Sequence, residues 1–136
     1  MVSEKSERIV YEICKSFIEK NVPEEAEFYE LIWTAFQGLP ENWERGMIEG
    51  QISEKHLTFL PETARSLLTP VVIGIVSGVL SRFLYDLVKK GLEPKSIPER
   101  TKHEISNMAI SIVIKFNKDV SLGEEIAQFI LEYFQL

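Results

Sequence analysis

The sequence holds little that supports covalent chemistry. It has one cysteine, two histidines and, among 21 acidic residues, only two aspartates. A single thiol excludes an intrachain disulfide framework, a paired redox site and a zinc knuckle. No serine has a lysine three positions on, no Gly-x-Ser-x-Gly elbow occurs, and no glycine-rich loop runs into Lys-Ser or Lys-Thr. The common signatures of nucleophilic catalysis and of phosphate cradling are therefore missing. Di-metal helical bundles rely on Glu-x-x-His, but Ser53 stands three before His56 and Arg100 three before His103. Catalytic, cofactor and metal sites are not expected. Apolar runs are short too. Residues 66–81 give 16 consecutive uncharged positions, fewer than the ~20 a bilayer requires. Extending that run would carry Arg82 and Asp86 into hydrocarbon, at roughly 2.5–3.5 kcal/mol each.

What is present fits one globular domain spanning 1–136. The hydrophobic fraction of 45% is too high for disorder, and a chain of this size buries enough surface to fold without staples. The acids are nearly all glutamate, a better helix former than aspartate. Net charge is −6, with 13 acids and seven bases in residues 1–69 and eight of each in 70–136. A bulk acidic chain repels phosphate backbones, so nucleic acid is not the expected partner. The most basic stretch, Arg82 to Lys102, carries six bases against three acids. The polar N-terminal segment has no apolar core of a signal peptide, and the expected location is the cytoplasm.

Periodicity predicts helices through most of the chain. Ile9, Val10, Ile13, Cys14, Phe17 and Ile18 share one face over 4–20, where Cys14 reads as a small buried hydrophobe. Pro23 opens a second helix to about Gln37, with Glu24, Glu25 and Glu27 facing its positive dipole end. Its inward residues are expected to be Phe28, Leu31, Ile32, Ala35 and Phe36. Residues 38–62 read as an irregular connector, with room for a short helix near Trp43–Ile48 and an extended piece near 57–60. A short helix follows over Pro61–Leu68. Thr69 is the expected N-cap of a helix from Pro70 to Lys90, closed by Gly91. After a connector at 91–99, residues 99–117 carry Ile105, Met108, Ala109, Ile112, Val113 and Phe116 on one helical face, although Ile110, Ile112, Ile114 and Phe116 also alternate as a strand would. Ser121 to Glu124 forms a capping box for a last helix with Ile126, Phe129, Ile130, Tyr133 and Phe134 inward. The sum is an all-α compact bundle of five or six helices around the central apolar helix at about 70–90.

That central helix has two faces. Bulky Val, Leu, Ile and Phe residues fill one broad arc, and Gly74, Ser77, Gly78 and Ser81 lie opposite. Interior glycines cost ~1 kcal/mol each relative to alanine, and close approach of a neighbouring helix is the simplest compensation. Those four residues are the candidate helix-contact or interface positions. Trp33, Trp43, Tyr29, Tyr133 and Phe134 add ring types enriched at interfaces. The function expected from these features is a small non-enzymatic helical interaction or oligomerisation module, binding a protein partner or itself as a homo-oligomer. One alternative is a membrane-acting protein that inserts the 66–88 segment. A second is a helical enzyme using Glu99 and His103, four apart on one helix face.

Overall fold

A computed structural model of the protein describes residues 4–39, 54–89 and 99–134. Within them lie six α-helices, α1 (Glu4–Asn21), α2 (Tyr29–Gln37), α3 (Glu62–Arg65), α4 (Thr69–Lys89), α5 (Glu99–Lys115) and α6 (Val120–Tyr133). Two 3-10 helices, Pro23–Phe28 and Glu54–Phe59, complete the set. The described residues contain no strand, and the protein is all-α. Leu57 to Phe59 therefore belongs to a 3-10 helix and not to an extended segment. The expected short helix at Trp43–Ile48, the Gly91 cap and the 91–98 connector lie outside the described residues.

The apolar stripes assemble one core. From α1 come Val10, Ile13, Cys14, Phe17 and Ile18, all buried. On α5 the buried set is Ile105, Ala109, Ile112 and Val113, followed by Phe116. Its spacing is helical, and a strand would have sent Ala109 and Ile112 to opposite faces. Against both packs α4, which also touches α2 and α6. Every residue from Thr69 to Leu80 is buried. A helix covered on all sides can be apolar all round in water, which explains its composition. Fully burying each of its Val, Ile and Leu side chains contributes about 1.5–3 kcal/mol. Among the described residues, no helix is long and apolar enough to cross a membrane.

α5 and α6 form a hairpin whose turn is fixed by hydrogen bonds. The Asn117 N–H donates to the Ile114 carbonyl at 3.0 Å and the Lys118 N–H to the Val113 carbonyl at 3.2 Å, the Schellman pattern. Asn117 adopts φ 56°, the left-handed conformation asparagine tolerates better than most residues. The chain then turns into α6 under Asp119, whose carboxylate accepts from the Ser121 N–H at 2.8 Å. The cap is thus Asp119 and not Ser121. An extended residue at the N-cap is required, and Asp119, with ψ 138°, is the one in that conformation. Gly123 lets the two helices meet closely. A Cβ there would sit 3.0 Å from the Ala109 carbonyl oxygen.

Candidate interaction surface

The first 3-10 helix and α2 carry the least expected arrangement in the molecule. Val22, buried beside the end of α1, leads into Pro23, and the chain tightens into a 3-10 turn. Glu25 points inward from that turn and is only 7% exposed. Its Oε2 accepts from the Leu68 N–H at 3.0 Å, while Oε1 accepts from the Thr69 N–H at 2.8 Å and the Thr69 hydroxyl at 2.7 Å. A carboxylate from 44 residues away therefore caps α4, satisfying N–H groups that have no partner inside the helix and placing negative charge at its positive end. Thr69 donates its hydroxyl in this arrangement and does not act as the cap. Glu24 and Glu27 are exposed, so of the three glutamates assigned to the dipole of their own helix, Glu25 serves a different one.

This pin sets the rotation of α2. Tyr29 and Ile32 are buried, with Trp33 and Phe36 packed against the core. The Tyr29 hydroxyl donates to the Tyr11 carbonyl at 2.7 Å, its ring stacks on Trp33 at 6.3 Å, and Trp33 meets Tyr11 edge-on at 5.3 Å. Burial pushes the Tyr29 phenol well above its ordinary range. Tyr11 donates its hydroxyl to Glu30, and Lys15 Nζ lies 3.8 Å from the same carboxylate. The expected inward set of Phe28, Leu31, Ile32, Ala35 and Phe36 is displaced by about one residue around the helix. Phe28 is 39% and Leu31 55% exposed. Both stripes contain Ile32 and Phe36, and the Tyr29–Trp33 stripe wins because its larger rings bury more area and meet Tyr11. Spacing alone does not separate the two stripes, and the signal that does is the third ring on α1.

The outer edge is acidic. In a 3-10 helix residues three apart eclipse one another, which aligns Glu24 with Glu27, and Leu31 follows four residues on. Neither Glu24 nor Glu27 forms an ion pair among the described residues. Two apolar side chains with unpaired carboxylates beside them thus face solvent.

The other expected positions lie elsewhere. Gly74, Ser77 and Gly78 are buried within this chain and Ser81 is half-buried, so the slim face of α4 is covered without a second molecule. Glu99 and His103 are both exposed, and the Glu99 carboxylate accepts from Lys102 Nζ at 3.0 Å. Cys14 is fully buried with Sγ 4.0 Å from the Val72 carbonyl oxygen, and burial raises its thiol far above the usual range. A shallow groove of about 200 Å³ between α1 and α6 is lined by Phe17, Lys20, Asn21, Phe129 and neighbours. Within it Asn21 donates to the Phe17 carbonyl at 3.1 Å, Gln128 to Glu132 at 3.2 Å, and Lys20 lies over the Phe129 ring at 6.0 Å. Among the described residues no three His, Cys, Asp or Glu side chains gather as metal ligands, and no buried side-chain nitrogen or oxygen lacks a partner. Comparison with protein-family models, curated proteins and solved structures finds no match to this chain.

Proposed function

We propose that this chain is a non-enzymatic helical docking module of the cytoplasm. It engages a protein surface whose apolar side chains are rimmed by Lys or Arg, through Phe28, Leu31, Glu24 and Glu27. The observation that carries this is the exposure of Phe28 and Leu31 beside Tyr29 and Ile32, which are buried, and Trp33 and Phe36, which pack against the core. Apolar side chains left in water beside a rigid frame are characteristic of association sites. The carboxylates at the edge favour a basic partner through complementary potential. Behind the surface, the Glu25 cap and the Tyr11–Tyr29–Trp33 stack hold the backbone in place, so little ordering cost falls on binding.

The test is an NMR titration of the labelled protein with two synthetic amphipathic helices of equal length, one Leu/Lys and one Leu/Glu. The expected result is shift changes from the Leu/Lys peptide confined to residues 23–37, abolished by Leu31→Glu. Equal responses to both peptides, or changes scattered over the molecule, would overturn the assignment.

A further inference from the structure

We propose that the partner surface is a second copy of this chain, docked through the α5–α6 turn. The inference rests on the docking role of Phe28 and Leu31 and names their occupant. Among the described residues, five large hydrophobic side chains are exposed: Phe28, Leu31, Ile114, Val120 and Tyr133. Tyr133 is occupied within the chain, its hydroxyl donating to Glu12 at 3.2 Å and its ring meeting Phe134 at 5.2 Å. The other four form two pairs. Phe28 and Leu31 flank the junction between the first 3-10 helix and α2. Ile114, 53% exposed, and Val120, 40% exposed, flank the turn between α5 and α6.

The pairs differ in the charge around them. Glu24 and Glu27 border the first. Lys115 and Lys118 border the second, and neither lysine has an ion-pair partner among the described residues. The acids at that end, Asp119 and Glu124, stand at the start of α6, where the helix N-terminus offsets their charge; Asp119 is also committed to the Ser121 N–H. One patch is therefore apolar and acidic, and the other apolar with unpaired ammonium groups. Neither is complementary to itself, since joining two copies of the same patch would place like charges together. Each is complementary to the other on a second molecule. A two-fold contact would pair each patch with the other in both directions and close at a dimer. A contact that leaves one of each free would propagate into rings or open chains. The turn is also a firm docking element, fixed by the Schellman bonds and by the approach of Gly123 to Ala109.

Sedimentation velocity on the wild type and on two surface variants tests this. Wild-type protein is expected to exceed the 15.7 kDa monomer at concentrations up to about 1 mM, the weak end of specific association, and to dissociate as salt screens the charges. Leu31→Glu and Ile114→Glu each remove one patch, and each alone is expected to be monomeric, with affinity at least about tenfold weaker. Mixed together they are expected to form a dimer that grows no further, because each variant keeps the patch the other lacks. Both positions are exposed, and unchanged thermal melts serve as the folding control. Wild type that stays monomeric throughout overturns the inference. So does an oligomer that Ile114→Glu leaves intact, or a mixture of variants that does not pair. In each of those outcomes, basic-peptide binding at residues 23–37 tests the docking role separately.

Discussion

Two helices of this bundle start beneath a carboxylate, and the two cases differ in everything except the hydrogen bond. Asp119 caps α6 from two residues away and is exposed. Glu25 caps α4 from 44 residues away and is buried. A local cap satisfies a backbone N–H and fixes where a helix begins. A remote cap also fixes where another part of the chain must lie. Because Glu25 is held at Leu68 and Thr69, the 3-10 helix cannot roll, and the rotation of α2 follows from it. The exposure of Phe28 and Leu31 is thus a consequence of a bond made at the far end of a long loop closure.

Removing the remote cap has the largest expected effect. Glu25→Ala leaves two backbone N–H groups and a hydroxyl without partners at a buried site, at a cost of about 2–4 kcal/mol. Urea denaturation read by circular dichroism measures it. Glu25→Gln keeps one acceptor but turns an amide NH2 toward an N–H donor, and its loss is expected to be smaller. If both variants unfold with the wild-type midpoint, the cap does not hold α4 in place.

Gly123→Ala tests what fixes α6 besides its cap. The added methyl meets the Ala109 carbonyl oxygen at 3.0 Å and the Ile110 Cα at 3.0 Å. Both are backbone, and a helix must shift to admit it. The expected destabilisation is about 1–3 kcal/mol, despite the better helix propensity of alanine. A stabilised variant would mean that the hairpin yields easily.

These two positions also indicate how much of the molecule can be read from the chain. The stripes of α1 and α5 were legible because a helical period repeats along each, outweighing on α5 the alternation of Ile110 to Phe116. That of α6 was legible at Ile126 and Ile130, although Tyr133, expected inward, is 39% exposed. Asp119, Ser121 and Glu124 all lie within one turn, so the start of α6 was placed to within two residues even though the wrong side chain was assigned the cap. Glu25 could not be assigned, because three neighbouring glutamates look alike and only tertiary distance selects one. The rotation of α2 was lost for the same reason. Gly123 is a further case. Gly74 and Gly78 stand out on an apolar helix, whereas a glycine in a first turn passes as a cap residue, and its close approach depends on Ala109 of another helix. Site residues that act through long-range contacts leave the weakest trace in sequence.

Tyr29→Phe probes the seam that the remote cap holds shut. Losing the hydroxyl bond to the Tyr11 carbonyl is expected to cost about 1 kcal/mol at neutral pH. The pH dependence carries more information. Burial raises the folded-state pKa of Tyr29 and of Cys14, so the folded protein holds those protons when the unfolded chain releases them. Their stabilisation is complete below the unfolded values, about 8.5 for a thiol and about 10 for a phenol, and declines as pH rises beyond them. Wild-type stability should therefore fall in alkali, first with Cys14 and then with Tyr29. Tyr29→Phe should flatten the later part of that decline.

The local cap is expected to give the smallest effect and the opposite pH dependence. The Ser121 N–H and hydroxyl beside it hold the Asp119 carboxyl pKa below the usual carboxylate value. A depressed folded value means the contribution is fully present above the unfolded value, about 3.9, and is lost as pH falls through the folded one. Asp119→Asn keeps a good capping side chain and should leave neutral stability nearly unchanged while removing this part of the acid response. Asp119→Ala should lower the neutral midpoint slightly and also lose the acid response, because it removes both charge and acceptor. Thermal melts from neutral pH into acid separate the three proteins. If Asp119→Ala proved as damaging as Glu25→Ala, distance along the chain would not be what distinguishes the two caps, and the α5–α6 turn would depend on Asp119 more heavily than its Schellman bonds and Gly123 imply.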